Sequence, residues 1–127
     1  MKLLGHGVDI ASISRLKAAI KRQGDGFEKR VFSEAEIHYC RAKADPMPHF
    51  AARFAAKEAY GKAMGVGLGA SGDLLEVEVV NGDNGEPNLV LSGRAKKLFR
   101  GRKGKQILLS LSHDANMAIA SVILVGE

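Results

Sequence analysis

In the segment Arg53-Phe54-Ala55-Ala56-Lys57-Glu58-Ala59-Tyr60-Gly61-Lys62-Ala63-Met64-Gly65, a carboxylate and an ammonium stand four residues apart, at Glu58 and Lys62. The segment reads as one amphipathic helix, and that spacing puts both heads on one face. Two uses fit the pair. As a surface pair it would steady the helix by about 0.3–0.5 kcal/mol. As chemistry, the carboxylate can hold a metal or take a proton while the ammonium neutralises phosphate charge. Arg53 and Lys57, also four apart, mark a second, basic face. It is either a solvated stripe or a phosphate contact, with a guanidinium as fork and an ammonium as point charge.

Asp9 supplies a further carboxylate, within Gly5-His6-Gly7-Val8-Asp9-Ile10. The two glycines permit close backbone approach or a positive φ. Asp9 falls where a strand gives way to a helix, so a helix N-cap is its ordinary role. The other role is to share Mg2+ with Glu58, since magnesium takes one or two protein carboxylates and draws its remaining oxygens from water and substrate phosphates. A third segment, Ser110-Leu111-Ser112-His113-Asp114, carries the residue types of a hydrolase triad. Neighbouring strand residues point to opposite faces, so Ser112 and His113 pair poorly as nucleophile and base. His113, at a strand end, is better placed to meet an anion. The glycine-rich run 65–72 lacks the Gly-Lys-Ser/Thr ending of a phosphate loop and follows a helix C-terminus, where the dipole disfavours anions. A mobile hinge or lid fits it better. His38, Cys40 and His49 lack zinc spacing.

The elements that must position these groups follow from patterning. At 127 residues, 46% hydrophobic and 26% charged, the chain is expected to fold as one domain, residues 1–127, with its own core. No apolar run reaches membrane-span length, and no apolar signal core develops after Met1. Cys40 is the single cysteine, which fits a reducing cytoplasm. The net charge of +5 points to an acidic partner, but five phenylalanines and two tyrosines give no stacking ladder for single-stranded nucleic acid.

Lys2 to Ile10 reads as a strand. Ile10, Ile13, Leu16 and Ile20 then recur at helical spacing, and Gly24 supplies a stop. Ser33 and Glu36 form a capping-box signature for a helix to about Lys43. Asp45-Pro46-Met47-Pro48 breaks the chain before a long helix from about His49 to Met64. Leu75 to Val80 and Asn88 to Leu91 alternate as a hairpin about the turn 81–87. A short basic helix, Gly93 to Arg100, follows, and Ile107 to Ser112 and Met117 to Val125 are expected to finish the chain as strands. Helices leading and hairpins following predict an α+β fold with an antiparallel sheet and a long central helix.

Together, three of these segments resemble the short bacterial type of 4'-phosphopantetheinyl transferase, the holo-(acyl-carrier-protein) synthases. Gly5-x-Gly7-x-Asp9-Ile10 is similar to that family's first motif. Arg53-Phe54-Ala55-x-Lys57-Glu58-Ala59-x-x-Lys62-Ala63-x-Gly65 is similar to its second, and Ser110-Leu111-Ser112-His113 before an alanine-rich strand to its third. The likeness spans the chain, including Asn81-Gly82-x-x-Gly85-x-Pro87. His6 and Asn116-Met117 depart from the family's usual residues.

The resemblance implies transfer of 4'-phosphopantetheine from coenzyme A to a serine of apo acyl carrier protein, with Mg2+, releasing adenosine 3',5'-bisphosphate. Asp9 and Glu58 would hold the metal, and Glu58 or a bound water would serve as base. Lys62 would neutralise diphosphate charge, and Arg53 and His113 would contact nucleotide phosphates. A basic first helix carrying Arg15, Lys17, Lys21 and Arg22 would dock the acidic carrier, through Arg15 and Arg22 above all. The family's assembly as a trimer, with sites between subunits, implies a homotrimer. The resemblance further implies a cytoplasmic enzyme of fatty acid biosynthesis, with carriers of fatty acid or polyketide synthesis left open, and no nucleic acid or membrane partner. The alternative is a non-catalytic basic module that binds nucleic acid or an acidic protein. It accounts for the charge and leaves the pattern of Asp9, Glu58 and Lys62 unexplained.

Overall fold

The computed structural model describes residues 1–127. Strand β1 (Lys2–Ser12) is followed by helices α1 (Ile13–Gln23), α2 (Asp25–Val31), α3 (Glu34–Arg41) and α4 (Pro46–Met64). A 3-10 turn at Leu74–Glu76 leads into the hairpin β2 (Val77–Asn81) and β3 (Pro87–Leu91). Helix α5 (Gly93–Gly101) and strands β4 (Gly104–Asp114) and β5 (Met117–Gly126) complete the α+β chain. The strands form a three-stranded antiparallel sheet, ordered β1-β5-β4, and a separate two-stranded sheet.

Helix α4 lies across β1 and β5, and its composition explains how closely. Ala51, Ala52, Ala55, Ala56, Ala59 and Ala63 are all buried, as are Ala118 and Ala120 on β5. Small side chains on both layers let the backbones approach, while Phe50, Tyr60, Val122 and Leu124 fill the remaining volume. Gly5 and Gly7 take this furthest. A Cβ at Gly5 would overlap the carbonyl oxygen of Ala63, and one at Gly7 that of Ala59.

Several boundaries differ from expectation, each for a local reason. Ile10 belongs to β1 and is 60% exposed, because Ser12 caps α1 by accepting from Arg15 N at 3.2 Å. The helical stripe therefore starts at Ile13. Asp9 is thus not the cap. Helix α2 carries too short an apolar pattern to be read from sequence, and its buried residues are only Glu28 and Val31. Helix α4 begins at Pro46 rather than His49. Asp45 caps it, accepting from Met47 N at 3.3 Å, and prolines are tolerated in a first turn whose N–H groups lack intrahelical partners. Leu75, expected in a strand, lies in the 3-10 turn. The capping box of Ser33 and Glu36 forms as expected, with α3 ending at Arg41.

Candidate active site

The close fit of β1 on α4 builds the acidic end of the site. Alternation along β1 turns Gly7, Asp9 and Ala11 toward α4 and leaves Val8 and Ile10 outward. With Gly5 set against Ala63 and Gly7 against Ala59, Asp9 arrives beside the exposed edge of α4 that carries Glu58 and Lys62. Lys62 Nζ donates to Asp9 Oδ1 at 2.8 Å. The ammonium therefore spans helix to strand instead of pairing with Glu58, and the simple helix-pair reading of that spacing falls.

Glu58 makes no ion pair. Burial, then the nearby Asp9 carboxylate, push its carboxyl above the usual glutamate range, with Lys62 opposing. Two neighbouring carboxylates, with no histidine or cysteine among them, make a hard, oxygen-only donor set. That set fits Mg2+, which needs few protein ligands when a substrate diphosphate supplies the rest.

Around the helix, a second cluster forms. Arg53 is only 3% exposed, and its Nη2 donates to Asn81 Oδ1 at 2.6 Å. Its guanidinium lies 4.0 Å from the centre of the Tyr39 ring, while its Nε has no partner. Asn81 Nδ2 donates in turn to Gly85 O at 3.0 Å, so the hairpin turn is tied to Arg53. A cavity of about 170 Å³ opens here, lined by Arg53, Tyr39, His49, Asn81, Pro87 and His113 among others. The His113 and His49 rings meet edge-on at 5.9 Å between centres. The buried, partly unpaired guanidinium gives this cavity an anion-binding character.

Lys57 does not join it. The basic face expected for Arg53 and Lys57 is absent, because Lys57 is fully buried and pairs with Glu36 at 2.8 Å. The roles of Tyr39, His49 and Asn81 were not foreseen. In the sequence His49 is read only against zinc spacing, and aromatic–guanidinium stacking leaves no spacing signature. Arg15 and Arg22 lie exposed on α1, whose buried stripe is Leu16 and Ile20. They are seven residues apart and share a face. Asn116 anchors the start of that helix, with its Oδ1 accepting from Ser14 N and its Nδ2 donating to Ser14 Oγ, both at 2.9 Å. His6 lies on the outer sheet face, its Nε2 at 3.3 Å from Ser121 Oγ.

The chain is similar to known proteins in sequence and in fold. A profile of the 4'-phosphopantetheinyl transferase superfamily matches residues 5–120. The holo-(acyl-carrier-protein) synthase of Geotalea daltonii is 43% identical over 122 residues, covering 96% of this chain and 98% of that protein. That of Syntrophotalea carbinolica is 43% identical over 125 residues, covering 98% of each. Among solved structures, the holo-(acyl-carrier-protein) synthase of Neisseria meningitidis superposes with a TM-score of 0.91 at 26% identity, covering 98% of this chain and 99% of that one. The Helicobacter pylori synthase in complex with coenzyme A gives 0.84 at 33% identity, covering 94% and 99%. With its profile match, its near-full-length relatives and its fold in agreement, the chain belongs to the 4'-phosphopantetheinyl transferase superfamily.

Proposed function

We propose that this chain transfers 4'-phosphopantetheine from coenzyme A to the serine hydroxyl of an apo acyl carrier protein, in a Mg2+-dependent reaction that releases adenosine 3',5'-bisphosphate. The observation that carries the reading is the meeting of Asp9, Glu58 and Lys62 at the β1–α4 contact. Asp9 and Glu58 would hold the metal. Bound there, Mg2+ would supply charge neutralisation for the diphosphate and for the charge that builds on the departing adenosine 3',5'-bisphosphate. Lys62, already drawn toward this locus by Asp9, adds a positive charge beside the leaving phosphate.

The serine oxygen forms the new bond to the phosphorus bearing pantetheine, and the old bond from that phosphorus to the diphosphate bridge breaks. Glu58, whose proton affinity is raised by burial and Asp9, accepts the serine proton directly or through water. Arg53 and His113 would hold the nucleotide phosphates in the second cavity. No covalent enzyme intermediate is required, so positioning and charge stabilisation carry the catalysis. Hydrolysis by the same groups would use water as acceptor. Release of adenosine 3',5'-bisphosphate is expected only when apo carrier protein is present, and release without it would make the protein a phosphohydrolase.

The site is completed by a neighbouring copy. Glu58 and Arg53 are five residues apart, about 140° around α4 and about 7.5 Å along it. The metal locus and the Arg53 cavity therefore open on different sides of the helix, and a neighbouring copy would bring the second locus of one chain to the first of another. The outer face of the three-stranded sheet carries an apolar patch, with Val8, Ile10, Leu108, Met117 and Ile119 exposed by 39–60%, beside the polar pair His6 and Ser121. Such a face calls for a partner surface, and further copies of this chain in a homotrimer would cover it. Light scattering is expected to give three times the 13.6 kDa chain mass, and Ile10→Glu to give inactive monomers. A fully active monomer would refute this assembly.

The carrier is acidic, and the exposed Arg15 and Arg22 on α1 would meet it. Arg15→Glu is expected to raise KM for the carrier severalfold while leaving kcat nearly unchanged, with the difference shrinking at high salt. Steady-state kinetics at two ionic strengths check this. No helix is long and apolar enough to cross a membrane. The buried, unpaired Cys40 suits the cytoplasm, where a holo carrier would serve fatty acid synthesis.

A further inference from the structure

The cavity beside Arg53 holds more cation-capable groups than the two residues assigned to it. His49 enters from the first turn of α4, its ring edge-on to His113 at 5.9 Å and to Tyr39 at 6.1 Å between centres. Lys43, from the turn after α3, sits 4.6 Å from the centre of the Tyr39 ring. The charged groups bearing on His49 are Lys43, Arg53 and His113, against one acid, Asp45. The hairpin residues that line the cavity, Asn81, Gly85 and Pro87, carry no charge. Burial first, then Lys43, Arg53 and His113, hold the His49 imidazole below the ordinary histidine range. In the free protein these surroundings favour the neutral imidazole, although a buried and partly unpaired guanidinium next to it invites an anion.

We propose that His49 is a further recognition residue of this cavity, and that its imidazole takes up a proton from solvent as a phosphate monoester enters beside Arg53 and His113. This rests on the reading that the cavity receives the nucleotide end of coenzyme A. A phosphate dianion cancels the cationic surroundings that keep His49 neutral and rewards the charged form with a charge-assisted hydrogen bond. Phosphate binding and protonation are then linked, so affinity falls as pH rises. Uptake of one proton at most sets the limit, about tenfold in Kd per pH unit.

The test is calorimetry of adenosine 3',5'-bisphosphate binding to the full chain with Mg2+, in buffers of different ionisation enthalpy. A range of pH 7–8.5 keeps the ligand's own phosphate deprotonated, since its second pKa is about 6. The expected result is net proton uptake near pH 7 and a Kd that rises with pH. His49→Phe, which keeps the ring contacts, is expected to lose that uptake and to converge on wild-type affinity at pH 8.5. His49→Gln, smaller and also non-titrating, is expected to do the same. Binding without proton uptake, or undiminished uptake in both variants, would overturn the assignment of His49 while leaving the cavity's role intact. No binding at all, or equal binding by Arg53→Ala, would remove the cavity reading and the inference with it.

Discussion

Lys57→Met is expected to destabilise the protein by about 3–5 kcal/mol, the cost of breaking one side of a buried ion pair. Lys57 is fully buried, and its three ammonium protons are all used, on Glu36 Oε1 at 2.8 Å, Val77 O at 2.7 Å and Leu74 O at 3.0 Å. Glu36 is 1% exposed and also accepts from Ser33 N and Val79 N, each at 2.9 Å. This one pair joins the capping box of α3, the middle of α4, the 3-10 turn and strand β2. Methionine matches the length of lysine but leaves the Glu36 carboxylate buried without its counter-charge and takes a donor from Val77 O and from Leu74 O, the latter keeping only the N–H of Val77. Adding Glu36→Gln is expected to restore part of the loss, because the amide oxygen still accepts while the unpaired charge is gone. Urea unfolding of the wild type and the two variants measures this. A cost for Lys57→Met below about 1 kcal/mol, the range of exposed pairs, would mean that water reaches the pair.

Glu58→Gln is expected to reduce kcat for carrier modification by about 10³-fold, within the span of lost general-base catalysis. The substitution preserves volume and removes both a metal-binding charge and the proton acceptor. Its effect on stability should run the other way. A carboxyl whose folded pKa is raised above its unfolded value is most favourable to the native state at low pH, and that favour is lost as pH rises through the folded pKa. At neutral pH, without metal, the ionised Glu58 therefore opposes folding, and Glu58→Gln is expected to melt at or above the wild-type temperature. The gap should vanish below the ordinary glutamate range, where both side chains are neutral. Stopped assays of adenosine 3',5'-bisphosphate and thermal melts at about pH 3 and pH 7.5 give both quantities. Retained kcat would assign the base and metal roles elsewhere. A large drop in melting temperature would show a structural role for the carboxylate.

The sequence reveals the groups that touch solvent or ligand more readily than those that hold them. Glu58 and Lys62 stand out by their spacing and Asp9 only through the family resemblance, while the glycines at 5 and 7 narrow to a close approach or a positive φ, of which the structure has the close approach. The actual link, Lys62 to Asp9, crosses from helix to strand and is invisible to a helix-period argument, which suggests Glu58 as the partner. Lys57 misleads for a related reason. A lysine on a helix is expected outside, and only tertiary structure reveals that Glu36, the capping-box residue of α3, waits to pair with it. The cavity at Arg53 is assembled from α3, α4, the β2–β3 turn and the end of β4, so its aromatic and histidine lining has no sequence period at all. Ser12 overrides the apolar run beginning at Ile10 by a single hydrogen bond, which moves the start of α1 by three residues.

The most direct measurement is the intact mass of an apo acyl carrier protein after incubation with this protein, coenzyme A and Mg2+. The account predicts a gain of one phosphopantetheine, on the carrier's serine. That gain should disappear with a chelator and nearly disappear with Glu58→Gln, with the protein folded in both cases. An unchanged mass across several apo carrier proteins would contradict the account, as would modification that proceeds undiminished after metal removal.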